Sequence, residues 1–167
     1  MPKPVVVLGA GNTGCSIAAK LALAGREVVL WEHESHAASL APFHERPQLR
    51  LLGAGGEGTA TLALVTTDAA EALSAGDVLL ASVPSYAHAA FADALLPHLR
   101  SEHLLALLPG NLGSLAFAHT LNSSKSRSGK GPLLAESDTA PYVCRKTAPD
   151  AANIWGVVPA VGIGVFL

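Results

Sequence analysis

Charge is scarce in these 167 residues: 11 lysines and arginines stand against 13 aspartates and glutamates, for a formal net charge of −2. With no basic surplus, there is no electrostatic case for nucleic acid as a partner. Cysteine is scarcer still. Cys15 and Cys144 lie far apart in the chain, which leaves no disulfide framework or zinc-ligand spacing and points to a reducing, cytoplasmic setting. The seven histidines are scattered, again without metal-ligand spacing, so no metal is expected and His88, His98 and His103 are expected at the surface. Half of the residues are hydrophobic, yet no apolar run reaches the ~18 residues needed to cross a bilayer. No membrane association is expected. The amino terminus, MPKPVVVLGAGNTG, also lacks the long apolar stretch and cleavage site of a signal peptide. Two nucleotide and hydrolase signatures are missing as well. The SGKG at 128–131 is no phosphate loop, because Ser124 and Gly131 stand where Gly and Ser/Thr are required. No G-x-S-x-G nucleophile elbow occurs.

What is present is an alternation of strands and helices in a length that suits one domain. Residues 5–8 form a β-branched, uniformly apolar run, as expected of a strand buried on both faces. Apolar residues then recur at helical spacing from Thr13 to Ala24, and Gly25 stops that helix. EVVLWE reads as a second buried strand, completing a βαβ unit within about thirty residues. Further on, ERPQLRLLGAGGEGTATLALVTTD reads as an extended or hairpin excursion. Asp68 caps a short helix. VLLASVP is a third core strand, followed by a helix opened by Pro84 and Ser85. HLLALLPGN is a fourth strand, and Ser114 is placed to cap LAFAHTL. NSSKSRSGKG reads as a loop. PLLAES is another strand, and YVCRKTA with ANIWGVVPA suggests a hairpin. The pattern predicts an α/β fold: a doubly wound, mostly parallel sheet with helices on both faces and an extra β-hairpin region. The final WGVVPAVGIGVFL is apolar throughout. Such a stretch needs cover, so the expectation is a single dinucleotide-binding domain over 1–167 whose natural protein continues beyond it. A homodimer would be another way to cover it.

The glycines at 9, 11 and 14 fit G-x-G-x-x-G, and they follow a strand and open a helix inside the βαβ unit. Gly9 permits the tight turn, Gly11 lets a pyrophosphate approach the backbone, and Gly14 allows close helix–strand packing. Asn12 and Thr13 stand at the helix start, where free N–H groups and the helix dipole favour phosphate. Glu32, 23 positions after Gly9, is placed to accept hydrogen bonds from the adenine ribose hydroxyls and to repel a 2′-phosphate. No arginine follows it closely, so NAD is favoured over NADP. Val83 and Pro84 end a core strand, where ligands of open parallel sheets bind, and Asn111 ends the next one. Cys15 lies in the first turn of the glycine-loop helix and reads as a small packing residue.

LGAGNTG, VTTD, VPSYAH, LLPGNLGS and AESDTAPYVCR, in this order and spacing, resemble the N-terminal half of the octopine/nopaline (opine) dehydrogenase family. The resemblance covers nearly the whole chain, and PGNLGS and ESDTAPYVCR are its more specific parts. It implies a Rossmann domain that binds NAD(P), followed in the family by a helical domain with a histidine–aspartate catalytic pair. It also implies reductive condensation of an amino acid with a 2-oxo acid such as pyruvate. By this resemblance Glu136, Asp138 and Cys144 lie on the face where the amino-acid substrate approaches, the family's catalytic histidine–aspartate pair belongs to the helical domain, and no catalytic residue is assigned within these 167 positions. Two alternatives stay open at this point. One is another reductase of the wider superfamily, of ketopantoate reductase or glycerol-3-phosphate dehydrogenase type. The other is a stand-alone NAD-binding module without catalysis.

Overall fold

The structure is a computed structural model that describes residues 2–123 and 131–166. Its centre is a seven-stranded sheet. In chain order the elements of its first half are β1 (Val5–Leu8), α1 (Asn12–Leu23), β2 (Val28–Trp31), the hairpin strands β3 (Gln48–Gly53) and β4 (Gly58–Thr61), and β5 (Leu64–Thr66). The second half runs α2 (Ala69–Ala75), β6 (Val78–Ala81), α3 (His88–Leu95), β7 (Leu104–Leu107), α4 (Gly113–Ser123), β8 (Leu133–Ser137), β9 (Tyr142–Ala148), β10 (Ala151–Val157) and β11 (Ile163–Phe166). The strand order of the main sheet is β11-β8-β7-β6-β1-β2-β5. All its pairs are parallel except β11 with β8.

The central strands are short and apolar on both faces because both faces are covered. Val6, Leu8, Val29, Trp31, Leu79 and Leu105 pack beneath α2, α3 and α4. Val7, Val28 and Leu30 face the other way, onto Ile17 and Ala18 of α1. Alternate residues of one strand thus enter two different cores, and the doubly wound expectation holds. The second face has one unexpected feature. The two hairpins join through a parallel pairing of β3 with β10, giving a separate four-stranded sheet, β4-β3-β10-β9. That sheet packs over α1, placing Leu49, Leu51 and Ile154 against it. The apolar final stretch adds β11 antiparallel to β8, with Ile163 and Val165 still exposed on it. The expected loop at 122–131 lies, from 124 to 130, outside the described residues.

The capping expectation for Asp68 is met: its Oδ1 accepts the N–H of Glu71 at 3.0 Å. The cap expected from Ser114 is not its own. Ser114 lies inside α4, and its N–H donates to Glu136 Oε2 at 3.1 Å. The segment after β2 forms a 3₁₀ run, Glu34–Phe43, that the sequence pattern does not announce.

His88 and His103 correct the expectation of surface histidines: they are 3% and 1% exposed. His103 is buried because the backbone replaces water around it. Its Nδ1 accepts the Arg100 N–H at 2.9 Å, and its Nε2 lies 3.0 Å from the Leu73 carbonyl as donor. Burial holds both imidazoles below the ordinary histidine range; Leu73 and Val83 backbone groups partly oppose it at His103 and His88 respectively. The unfolded chain therefore takes up these protons near the ordinary value of about 6.5, while the folded chain does not. Stability is complete above that value and falls as the pH drops below it. The urea midpoint is expected to decline between pH 7 and 5, and His103→Gln to flatten that decline. A midpoint level across the range would show that these rings are not held neutral.

Candidate functional site

The chain passes from β1 outward to β2 and β5, then returns to β6 on the opposite side of β1 and proceeds to β7 and β8. The direction of winding switches between β1 and β6, and the crevice at the carboxyl ends of such strands is where open α/β sheets bind ligands. The glycine loop occupies it. Gly9 has a φ of +104°, and a Cβ there would come within 2.7 Å of Val83 Cγ1. The first turn is therefore pressed against the loop that leaves β6. A Cβ on Gly14 would overlap the Gly9 carbonyl oxygen, so the close helix–strand approach predicted for Gly14 is present. Gly11 differs from both. Its φ is −76° and nothing lies within 4 Å of its Cβ position. It is bare toward open space, at the point where the N–H groups of α1 begin.

Glu32 follows β2 and is 7% exposed. Its Oε2 accepts the Ala10 N–H at 2.7 Å, and its Oε1 accepts the His33 N–H at 2.8 Å. The carboxylate braces the glycine loop, and each oxygen retains acceptor capacity beyond one bond. A cleft of about 160 Å³ brings together Gly9, Gly11, Glu32, His36, Val83 and Pro84. Five of these six carry a signal in the sequence; His36 does not. Tyr86, 86% exposed, stands at its rim.

Asn12 and Thr13 are at the start of α1, with their side chains turned to the second sheet. Asn12 Oδ1 accepts the Lys146 N–H at 2.9 Å, and Thr13 Oγ1 lies 3.8 Å from Cys144 Sγ. Cys15 is fully buried beside them, and burial pushes its thiol up to about 11 although Lys146 pulls the other way. It is a packing residue.

Asn111 is not in the glycine-loop cleft. It sits at a φ of +49° in the loop after β7 and lines a neighbouring pocket of about 520 Å³ with Glu136 and Asp138. One oxygen of each acid is held by backbone: Glu136 by the Ser114 N–H, and Asp138 Oδ1 by the Gly162 N–H at 3.0 Å. Glu136 fits only because Gly110 has no side chain, since a Cβ there would overlap it. Glu136 and Asp138 are thus together, while Cys144 lies apart from them on β9. Gly110 belongs to the PGNLGS motif and Gly162 to none, but the role of neither is marked in the sequence, because a glycine that yields space to a distant side chain has no local signature.

The family model described as NAD-dependent glycerol-3-phosphate dehydrogenase N-terminus matches residues 4–109. An opine dehydrogenase from Arthrobacter sp. (strain 1C) is 30% identical over 153 residues, covering 91% of this chain and 41% of that protein. A glycerol-3-phosphate dehydrogenase [NAD(P)+] from Vibrio cholerae is 35% identical over 102 residues, 60% of this chain and 28% of its own length. In fold, the octopine dehydrogenase solved in complex with NADH and agmatine superposes with a TM-score of 0.83 over 98% of this chain and 42% of that one, at 19% identity. The chain therefore spans about two-fifths of the length of the opine dehydrogenases it matches. The resemblance read from its motifs, the Rossmann fold and the nicotinamide dinucleotide as cofactor class all hold. The chain belongs to the family of NAD-dependent glycerol-3-phosphate dehydrogenase N-terminal domains, and its likeness to an opine dehydrogenase extends over 91% of its length.

Proposed function

We propose that residues 1–167 are the dinucleotide-binding domain of an opine dehydrogenase-like oxidoreductase, which reductively joins an amino acid to a 2-oxo acid. One observation supports it above the others. The glycine-loop cleft and the acid-lined pocket open side by side at the carboxyl ends of one parallel sheet. In this reading the pyrophosphate of NADH lies over Gly9, Gly11 and Gly14 at the start of α1, and Glu32 receives the adenine ribose. Val83 and Pro84 border the dinucleotide. The nicotinamide end reaches toward Asn111. Glu136 and Asp138 then offer carboxylates to the substrate amine. The side chains of Asn12, Thr13 and Cys144 tie the second sheet to the loop, while the backbone N–H groups of Asn12 and Thr13 face the phosphates. The cofactor supplies hydride, and the protein supplies binding and orientation.

The glycerol-3-phosphate dehydrogenase reading has the family model in its favour. It requires a site for a phosphorylated substrate. The pocket beside the dinucleotide cleft is lined by two carboxylates and, among its described residues, by no lysine or arginine. Acids in that place favour an amine over a phosphate.

Turnover needs both substrates held beside the nicotinamide, which lowers the barrier by ~7–11 kcal/mol, and a positioned proton donor worth roughly 10²–10⁴ in rate. In the opine reading those groups belong to a further, helical domain. The expected result is that this chain binds NADH in a calorimetric titration but oxidises none at 340 nm with amino acids plus pyruvate, or with dihydroxyacetone phosphate. The same assay on a protein extended past Leu167 should show turnover with an amino acid and pyruvate. Turnover with dihydroxyacetone phosphate instead would move the assignment to the second reading. Steady turnover by these 167 residues alone would place the catalytic groups within them and overturn the division of labour.

A further inference from the structure

The loop between β7 and α4 reverses within four residues, in an uncommon conformation. The Gly113 N–H donates to the Gly110 carbonyl at 2.7 Å, and both residues between them are left-handed, Asn111 at a φ of +49° and Leu112 at +64°. Asparagine tolerates that region. Leucine is rare there, and a turn of this kind favours glycine in its place. Leu112 is also 68% exposed, so little burial compensates. Such a conformation persists where the surroundings fix it. On one side the fixing group is Glu136, which accepts the Ser114 N–H and fills the space that a side chain on Gly110 would take. On the other side is His88. A Cβ on Gly113 would overlap its imidazole, and the ring lies against Phe117 of α4, with centroids 6.4 Å apart. His88 is buried, and its Nε2 has no hydrogen-bond partner among the described residues. The Val83 carbonyl is the backbone acceptor beside the ring, so the neutral imidazole carries its proton on Nδ1, toward that carbonyl.

We infer that His88 is a positioning residue for the acid-lined pocket: its Nδ1–H anchors the ring to the loop after β6, and the anchored ring supports the left-handed turn that presents the Ser114 N–H to Glu136. For its consequence in substrate binding, this rests on the reading of Glu136 given above. Val83 borders the dinucleotide cleft and Glu136 lines the pocket beside it. One imidazole that meets both Val83 and Gly113 therefore sets the carboxylate at a fixed place relative to the cofactor. The nitrogen matters as well as the bulk. A phenyl ring fills the same space but leaves the buried Val83 carbonyl without its donor, and an unsatisfied buried acceptor costs more than the bond is worth. An asparagine restores a donor near the Nδ1 position but lacks the ring beneath Gly113.

The test is nuclear magnetic resonance on the ligand-free 167-residue chain. Ring nitrogen-15 shifts of His88 above neutral pH should show a proton on Nδ1 and a bare Nε2. Amide hydrogen exchange then follows the Ser114 N–H, with Val6 and Leu79, paired in the centre of the main sheet, as references for global opening. In His88→Phe, exchange at Ser114 should rise at least about tenfold, the loss expected for one hydrogen bond to a charged group, while Val6 and Leu79 keep their wild-type rates. His88→Asn should fall between the two. A proton on Nε2 in the wild type overturns the inference. So does a Ser114 rate that His88→Phe leaves unchanged, or a rise that Val6 and Leu79 share in full, since that is the mark of a residue that merely stabilises the fold. If the phenylalanine variant does not fold, the ring tautomer and the asparagine variant decide by the same criteria. All these readouts are made without ligand. Failure of Glu136 to receive an amine would remove the substrate reading and leave the positioning of its carboxylate standing.

Discussion

Gly11→Val is expected to leave a folded protein that no longer binds NADH. The two halves of that result have separate causes. Gly11 has an ordinary backbone conformation and nothing within 4 Å of its Cβ position, so the Cβ of a valine meets no protein atom. The stability loss is that of a poor residue at the N-cap of α1, about 1 kcal/mol. The open space it fills is the approach to the first N–H groups of α1, where an anion meets both unpaired donors and the positive end of the helix dipole. Two valine methyls there keep a pyrophosphate from the backbone, and Kd should rise at least about a hundredfold, or about 2.7 kcal/mol. Circular dichroism checks the fold and calorimetry the binding. A variant that binds NADH as tightly as wild type would show that the phosphates do not pass over Gly11.

The residues behind this result lie close together in the chain. Strand, turn and helix between Val5 and Glu32 are local features, and each leaves a periodic or compositional mark in the sequence. Asp68 at the start of α2 is legible for the same reason. What the sequence withholds is non-local. Both hairpins are visible as alternating stretches, but the β3–β10 pairing sets Arg50 beside Ala151, far apart in the chain, and no local pattern encodes it. That single pairing turns two hairpins into a sheet over α1. It also carries Cys144 to Thr13 and away from Glu136. β5 is hidden by its length of three half-buried residues. His88 and His103 carry no sign of their burial, because burying an imidazole depends on backbone groups brought to it by the fold. Asn111 follows a core strand as expected, yet the lateral step from β6 to β7 puts it in the neighbouring pocket.

Gly14→Ala should destabilise the domain and weaken the cofactor, and the sign of the first effect separates two physical arguments. By helix propensity alone, alanine inside α1 is better than glycine by about 1 kcal/mol, and the variant would gain stability. By packing, the added Cβ overlaps the carbonyl oxygen of Gly9, which is backbone and cannot rotate aside. Either α1 lifts or the glycine loop shifts. α1 is held from behind by the second sheet, through Ile154 and Leu49 and through the bond from the Lys146 N–H to Asn12. The loop is held in front, by the Gly9 N–H on the Trp31 carbonyl at 2.8 Å and by Glu32 on Ala10. With both partners restrained, overpacking costs about 3 kcal/mol, and the net loss is about 2 kcal/mol once propensity is set against it. The urea midpoint should fall while the slope of the transition stays constant. NADH affinity should drop with it, because any shift of Gly9 displaces the turn on which the phosphates rest. The comparison with Gly11→Val is diagnostic: one variant loses the ligand and keeps most of its stability, and the other loses part of both. A Gly14→Ala protein with an unchanged or raised midpoint would show that α1 can move off the sheet at little cost. The close approach of helix and loop would then be a feature the fold tolerates, not one on which it depends.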